Sequence, residues 1–335
     1  MIGRQPLLGA RRTSDGRTVT EADIVQFAAL SRDFSRLHTD AVYAARSVFG
    51  RRVGHGLLGL SLAEGLLSRA GPWRGIVGAW EWTFTGPFFA GDTLTAEAEV
   101  LDVKPWISSC IVIEKVLVRN AGEIIQSGLH ALALAPDVGL DTWLAGVCAT
   151  AFPAFKPQVI LEEEPVPPST AKPNALGETG VFFEDLRPGD RFQTPAFTIG
   201  DYDLSAFLCS IGDTGPWFHD RLLARRAELP DMLAPPLFGL ALVEGLKYAL
   251  APDRGVGIPM ASLSWRWRHE APLSAGTTVL LEALIEGRKS SRSKHDRGVI
   301  AQTLSLRDTE GAVLQTGQHL QMFRRRPANP GGAGL

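Results

Sequence analysis

The stretch GLSLAEGL, from Gly59 to Leu66, returns as GLALVEGL, from Gly239 to Leu246. The two stretches differ only at Ser61/Ala241 and Ala63/Val243. The same shift of 180 positions, without a gap, superposes several polar and aromatic residues upstream: Thr18 on Thr198, Asp23 on Asp203, Phe27 on Phe207, Asp33 on Asp213 and Asp40 on Asp220. Self-similarity at a fixed separation indicates a chain built from two copies of one structural unit.

Each copy has the same predicted order of elements. A helix begins near Thr20, which can cap it with Asp23 three residues on. An irregular segment follows, and then comes the run from His55 to Arg69, which is apolar almost all round, as in a helix buried inside a sheet. Four strand-like runs close the copy, several of them alternating apolar and polar residues. This order predicts an α+β fold, with one long helix wrapped by an antiparallel sheet.

The copies set the predicted domain boundaries: an N-terminal repeat over 1–135, a linker over 136–180, a C-terminal repeat over 181–325 and a disordered tail over 326–335. The linker holds seven prolines and the acidic run Glu162–Glu164, which favour an extended crossover, with a short helix conceivable around 141–149. A single unit of this kind would leave sheet-edge groups unpaired. We therefore expect the two repeats to pack side by side as a pseudo-dimer.

Composition excludes several classes of function. The chain has 335 residues, 45% of them apolar and 21% charged, and its formal net charge is −2. We therefore expect no general attraction to nucleic acid or anionic lipid. The sequence holds no uninterrupted apolar run of membrane-spanning length and no recognisable secretion signal. Its three cysteines lack metal spacing and are predicted to be reduced packing residues, so we expect a cytoplasmic location.

Three short motifs carry the chemistry. Asp33 and His38 lie five residues apart in the irregular segment, the run Gly54–Leu58 reads GHGLL, and the run Gly91–Leu94 reads GDTL. In this order and at these separations the motifs resemble the hydratase 2 family, the MaoC-like (R)-specific enoyl-CoA hydratases, in which D-x-N-P-x-H precedes H-G-[ML]. The resemblance covers most of residues 17–134, with a weaker echo in 181–325, and implies a tandem double hot-dog fold.

The resemblance also implies roles for individual residues. Asp33 and His38 would bind one water and add it across the double bond of a trans-2-enoyl thioester. Hydration needs one proton taken and one delivered, and histidine is poised near neutrality for both. Gly56, at the predicted start of the buried helix, would offer its N–H to the enolate-like thioester oxygen. The substrate would be an acyl-CoA or an acyl carrier protein thioester, and we expect neither a cofactor nor a metal ion.

Departures from the family motif bear on substrate binding. Ser35 and Arg36 stand where the family has Asn-Pro, and Glu64 stands where some members carry a serine, with Ser61 one turn earlier. The predicted substrate-binding residues are therefore Ser35, Arg36, Arg51, Arg52, His55 and Ser61. Lys104 and the basic loop 288–294 are further candidates for contacts with the CoA phosphates.

The second repeat lacks part of this machinery. Asp213 matches Asp33, but Phe218 replaces His38, and Pro236, which has no N–H to donate, replaces Gly56. His219 is one residue out of register. We therefore predict one functional site per chain, in the first repeat, unless a local shift lets His219 restore a second one.

Two other functions remain open at this point. A hot-dog thioesterase would use a carboxylate on the central helix, which makes Glu64 and Glu244 its candidates. A non-catalytic subunit that binds acyl-CoA is the other alternative. His38, Asp40 and His55 have no standard metal-ligand spacing. The assembly is predicted to be a monomeric pseudo-dimer or a homodimer.

Overall fold

The structure, a computed structural model, describes residues 6–71, 73, 75–106, 109–134, 181–226, 231–247 and 259–326. The first repeat contains four helices and six strands in this order: β1 (Arg11–Thr13), β2 (Arg17–Thr18), α1 (Glu21–Ser31), α2 (Arg36–Thr39), α3 (Ala41–Ala45), α4 (Gly56–Leu67), β3 (Gly75–Phe84), β4 (Thr93–Trp106), β5 (Ser109–Asn120) and β6 (Glu123–Leu134).

The described part of the second repeat has a matching order: β7 (Arg191–Gln193), β8 (Phe197–Thr198), α5 (Asp201–Ile211), α6 (Arg221–Arg226), α7 (Pro236–Leu246), β9 (Pro259–His269), β10 (Thr278–Ser290), β11 (Arg297–Asp308) and β12 (Val313–Arg324). Short 3₁₀ turns occur at Phe183–Asp185 and Pro216–Phe218. The predicted helices and strands are thus present in both repeats, and the α+β double hot-dog prediction is confirmed.

Local sequence explains where the helices begin. Thr20 caps α1 by accepting a hydrogen bond from the Asp23 backbone N–H, and the Asp23 carboxylate accepts one from the Thr20 backbone N–H, as predicted. Helix α4 buries ten of its twelve residues, which is why its sequence is apolar on all sides.

All strands of the described residues belong to one antiparallel sheet that runs through both repeats. Its order is β1-β4-β5-β6-β3-β9-β12-β11-β10-β7, with β2 and β8 beside β4 and β10. The repeats meet where β3 pairs with β9, and Trp80 and Trp82 lie opposite Trp267 and Trp265 in a junction buried on all four indole rings. This junction gives each repeat the edge partner that a single unit would lack, and the predicted pseudo-dimer is confirmed.

The helices cross from one repeat to the other. Helix α4 packs against α5, and α7 packs against α1. Two equivalent glycines permit this contact: a Cβ on Gly65 would lie 1.9 Å from the carbonyl oxygen of Ile211, and one on Gly245 would lie 1.9 Å from that of Ser31. Gly56 and Gly59 instead permit close approach on the sheet side of α4, where an added Cβ would meet the side chains of Phe84 and Gln126.

Some predictions meet limits in the structure. The linker 136–180, including Cys148 and the possible helix around 141–149, and residues 327–335 of the tail lie outside the described residues. Of the cysteines described, Cys110 is buried as predicted, but Cys209 is exposed on α5, so its predicted packing role was wrong. No helix in the described ranges combines the length and apolarity needed to cross a membrane.

Candidate active site

Asp33 is held at the point where α1 ends. Arg32, with φ of 64°, turns the chain out of the helix. The Ser31 hydroxyl then accepts a hydrogen bond from the Asp33 backbone N–H at 3.2 Å, and one carboxylate oxygen of Asp33 accepts one from the Ser35 backbone N–H at 3.1 Å. Asp33 is only 5% exposed. Its largely buried carboxylate therefore keeps one oxygen available to another hydrogen-bond donor.

His38, on the short helix α2, has a defined tautomer. Its Nδ1 lies 2.7 Å from the carbonyl oxygen of Val53. A carbonyl can only accept, so Nδ1 carries the hydrogen, and Nε2 of the neutral ring is left with a free lone pair. The backbone thus prepares His38 to take up a proton at Nε2.

His55, which immediately precedes α4, contacts both His38 and the backbone of Asp33. Its ring stacks on that of His38 with the centroids 3.7 Å apart, and its Nε2 donates to the Asp33 carbonyl oxygen at 3.0 Å. Burial, followed by repulsion from His38, lowers the pKa of His55 to about 3. His55 is therefore neutral at physiological pH and does not compete with His38 for a proton.

These residues border a cavity of about 340 Å³ that both repeats line. Gly56, the first residue of α4, lies on its wall, where the helix N-terminus presents a backbone N–H outside the helical hydrogen-bond pattern. The first repeat contributes Asp33, Ser35, His38, His55, Gly56 and an apolar set that includes Phe27, Phe84 and Phe88. The second repeat contributes Glu244, Met260, Ala261, Ser262, Leu263, Trp265 and Gln321.

Asp33, His38 and His55 could also be considered as metal ligands, since one ligand atom of each lies within 4.8 Å of the others. The stacking argues against a shared ion. An imidazole binds a metal in its own plane at about 2 Å from the nitrogen. Two rings 3.7 Å apart and inclined by 28° have no such common position near their nitrogens. Asp40, the third candidate from the sequence, instead caps α3 and pairs with Arg36.

The equivalent region of the second repeat is nearly closed. Its cavity measures about 40 Å³, and both Phe218 and Pro236 line it. His219 is exposed there, and its Nε2 contacts the backbone oxygen of Asp213 at 3.0 Å rather than the carboxylate. The structure thus does not bring His219 into the position that His38 occupies in the first repeat.

Glu64, the thioesterase candidate, lines this small cavity and not the large one. Its carboxylate accepts hydrogen bonds from Trp80 Nε1 at 2.9 Å and from His130 Nδ1 at 2.8 Å. His130 also contacts Glu114, which pairs with Arg12. Although burial opposes it, attraction to Glu64 and Glu114 raises the pKa of His130 to about 9, and its charge neutralises Glu64.

The other predicted binding residues lie outside the cavity wall. Arg36 pairs with Asp40, Arg51 lies over the ring of Phe89, and Arg52 pairs with Glu21. Ser61 is buried in α4 with no hydrogen-bond partner for its hydroxyl among the described residues. Lys104 lies near Asp102 on β4, and Arg288 contacts the backbone of Glu184 and Leu186. Their roles in substrate binding stay predictions.

Sequence reasoning missed which residues of the second repeat line the cavity. Glu244 was considered only as the repeat equivalent of Glu64, and Gln321 and Trp265 were not considered at all. The signal was the repeat itself: in two units related by pseudo-symmetry, the central helix of each can face the loop of the other.

Comparison with known proteins agrees with this geometry. Residues 5–121 match the family described as MaoC like domain, and residues 187–320 match the FAS1-like, dehydratase domain region. The first repeat therefore belongs to the MaoC-like domain family. A MaoC domain protein from Chloroflexus aurantiacus superposes with a TM-score of 0.77 at 16% identity, over 97% of this chain and 98% of that one.

Further similarity extends to other organisms. A Mycobacterium tuberculosis protein with a double hot-dog fold gives a TM-score of 0.69 at 14% identity, over 95% of this chain and 96% of that one. The (R)-specific enoyl-CoA hydratase of Aeromonas caviae is 44% identical over 80 residues, which are 24% of this chain and 60% of that enzyme. Protein MaoC of Klebsiella aerogenes is 46% identical over 80 residues, 23% of this chain and 24% of that protein. The matches thus span less than two thirds of these two relatives.

Proposed function

We propose that this MaoC-like protein is a hydro-lyase that adds water to, or removes it from, the 2,3 position of an enoyl or 3-hydroxyacyl thioester. The observation that carries the proposal is the spacing of Asp33 and His38 around one face of the cavity. Their ligand atoms lie within 4.8 Å of each other. Since hydrogen bonds to water span roughly 2.8 Å each, a single water can bridge the carboxylate and the imidazole.

The two residues divide the work on that water. The free oxygen of Asp33 accepts one hydrogen and orients the molecule, while His38 Nε2 accepts the other hydrogen as a proton. The oxygen then bonds to Cβ, and the electron pair of the double bond moves toward the thioester carbonyl. The imidazolium of His38 returns its proton to Cα, so that one water has been added and both residues regain their starting state.

Gly56 takes the charge that develops on the thioester oxygen. Its N–H lies at the positive end of α4, and a glycine allows the acyl group to approach closely. A donor aimed at a developing oxyanion is typically worth about 3 kcal/mol of barrier. Names of relatives support the same chemistry, because enoyl-CoA hydratases and a 3-hydroxybutyryl-CoA dehydratase are among them.

Loss of enoyl absorbance from short trans-2-enoyl-CoA thioesters tests the proposal. We expect Asp33→Asn and His38→Ala each to lower kcat by several orders of magnitude, and the double variant to lose little more, since the two act as a unit. Asp213→Asn and His219→Ala are matched controls in the second repeat, and both should keep near-wild-type rates. Near-wild-type hydration by Asp33→Asn or His38→Ala would contradict the assignment.

A thioesterase is the second candidate, and thiol release from the same thioesters separates it from a hydratase. The geometry does not favour Glu64 in that role, because Trp80 and His130 occupy its carboxylate in the other cavity. We further propose a CoA or acyl carrier protein thioester as the substrate and a cytoplasmic location. No cofactor is required by the steps above.

A further inference from the structure

The part of the cavity wall that comes from the second repeat carries polar side chains that the hydration steps do not use. Glu244 lies on α7, while Ser262, Trp265 and Gln321 lie on β9 and β12. Because Gly245 contacts the backbone at Ser31, the preceding residue, Glu244, is held close to the Asp33 loop. An acyl chain that passes Asp33 and His38 therefore meets this polar group.

Comparison of the two repeats shows that Glu244 lacks partners that its equivalent has. Glu64 accepts from the indole of Trp80 and from the cationic ring of His130. The counterparts by strand register are Trp265 and His319, which pair with each other as Trp80 and His130 do. Neither counterpart donates a hydrogen bond to Glu244.

Trp265 and His319 differ in their hydrogen bonding from their equivalents in the first repeat. The Trp265 indole N–H is buried without an acceptor among the residues described. His319 Nδ1 lies 4.0 Å from Glu244 and faces the Lys247 ammonium at 3.2 Å, so it accepts a hydrogen bond there and has no proton for the carboxylate. Burial, followed by the Lys247 charge, lowers the pKa of His319 well below its usual range, in agreement with a neutral ring.

Glu244 has one hydrogen-bond donor and one ion-pair partner, and its Oε2 is buried without a hydrogen-bond partner among the described residues. Lys247 Nζ lies 2.7 Å from one carboxylate oxygen, and Gln321 Nε2 lies 3.4 Å from the other, which is a long hydrogen bond. An ionised carboxylate accepts about four hydrogen bonds, so Glu244 has capacity for a further donor. Glu64 accepts two short hydrogen bonds beside the 40 Å³ cavity, whereas Glu244 accepts a single long one beside the 340 Å³ cavity.

We propose that Glu244 is a specificity-determining residue that accepts a hydrogen bond from a hydroxyl group on the acyl chain, beyond the carbons that react. The proposal rests on the proposed function, since it names the substrate class of the same site. A hydroxyl is neutral, donates to the carboxylate and leaves its oxygen able to accept from a buried N–H such as that of Trp265.

Other chain ends fit this wall less well. An alkyl end would cover the Glu244 carboxyl group without offering it a hydrogen bond, which is costly for a buried polar group. A carboxylate end would meet two carboxylates, Asp33 and Glu244, with Lys247 already paired. A hydroxyl avoids both penalties.

Matched substrates test the proposal by exchanging a terminal methyl for a hydroxyl at a constant number of heavy atoms. The pairs are pent-2-enoyl-CoA against 4-hydroxybut-2-enoyl-CoA and hex-2-enoyl-CoA against 5-hydroxypent-2-enoyl-CoA, all trans. Hydrogen bonds to charged groups correspond to roughly tenfold to 150-fold in an equilibrium constant. We expect kcat/KM of the wild type to favour the hydroxyl member of at least one pair by about tenfold or more.

Variants identify the residue responsible. Glu244→Leu combined with Lys247→Leu removes the carboxylate without leaving a buried cation unpaired, and Leu67 is the equivalent of Lys247 in the first repeat. This variant should lose the preference for the hydroxyl while it still hydrates the alkyl substrates. Glu244→Gln, which keeps an acceptor oxygen, should retain part of the preference. Glu64→Gln, in the other cavity, should leave the ratio within each pair unchanged.

The outcomes separate this inference from the function on which it rests. An alkyl preference of the wild type in both pairs, or a hydroxyl preference that survives in the folded double variant, would overturn the role of Glu244 and leave the hydratase in place. Failure of the wild type to hydrate any of the four thioesters would overturn the proposed function as well.

Discussion

Gly245→Ala places a methyl group of the second repeat against the backbone that carries Asp33. The added Cβ would lie 1.9 Å from the Ser31 oxygen, 2.5 Å from the Arg32 carbonyl carbon and 2.8 Å from the Asp33 nitrogen. Real Cβ contacts are essentially never closer than 3.0 Å, so the backbone of Ser31–Asp33, where α1 ends, has to move by about 1 Å. All three atoms belong to the main chain, and no side-chain rotation can relieve the contact.

The expected loss follows from this displacement. A misplacement of about 1 Å at a reacting group can cost roughly 10²-fold in rate. Overpacking typically destabilises by about 1–3 kcal/mol, partly offset by up to about 1 kcal/mol because alanine favours the helix over glycine. We therefore expect Gly245→Ala to fold with a modestly lower free energy of unfolding and to lose about two orders of magnitude in kcat.

Gly65→Ala is the matched control. Its Cβ would lie 1.9 Å from the Ile211 oxygen and press on the segment that leads to Asp213, in the nearly closed cavity. Urea unfolding should show a similar loss of stability in both variants, whereas enoyl-CoA hydration should fall only in Gly245→Ala. If a folded Gly245→Ala variant hydrated enoyl-CoA at the wild-type rate while Gly65→Ala lost most of its hydration rate, the active site would have been assigned to the wrong repeat.

Three further outcomes follow from the structure. The pKa of His130 is raised from 6.5 in the unfolded chain to about 9 in the folded one. The protonated ring therefore stabilises the fold by roughly 3 kcal/mol, fully below pH 6.5, and this stabilisation is lost as the pH rises through 9. The difference in unfolding free energy between the wild type and His130→Gln should shrink over the same pH range. His55→Phe keeps a ring stacked on His38 but removes the hydrogen bond to the Asp33 carbonyl, and kcat should fall about tenfold with KM little changed; an unchanged kcat would show that His55 only packs. Phe218→Ala should cost about 3–5 kcal/mol in urea unfolding as it leaves a cavity, without raising the hydration rate; a gain in rate would reveal a second working site.

Most of the fold could be predicted because it is encoded locally. Short-range patterns predicted the first repeat: the capping pair Thr20 and Asp23, the apolar run that forms α4, and the alternating strands. The similarity at a separation of 180 positions then predicted the same elements in the second repeat. The Asp33 and His38 motif was equally local, since both groups lie within one short segment.

The missing parts depend on contacts between distant segments. Nothing near Glu64 or Glu244 in sequence reveals which cavity each one lines, because that is decided by the crossing of α4 over α5 and of α7 over α1. The arginines were harder still. Arg51 lies over an aromatic ring and Arg52 pairs with a glutamate, contacts that sequence does not display.

The crossing of the helices makes the candidate active site depend on both repeats. The loop with Asp33 and His38 comes from the first repeat, but the helix that supports it and the polar wall beyond it come from the second. In the other cavity, Glu64 is held between Trp80 and His130 in a buried ion network. On this account the second repeat is needed for the activity of the first, and Gly245→Ala should lower turnover although Gly245 lies more than 200 positions from Asp33 in the chain.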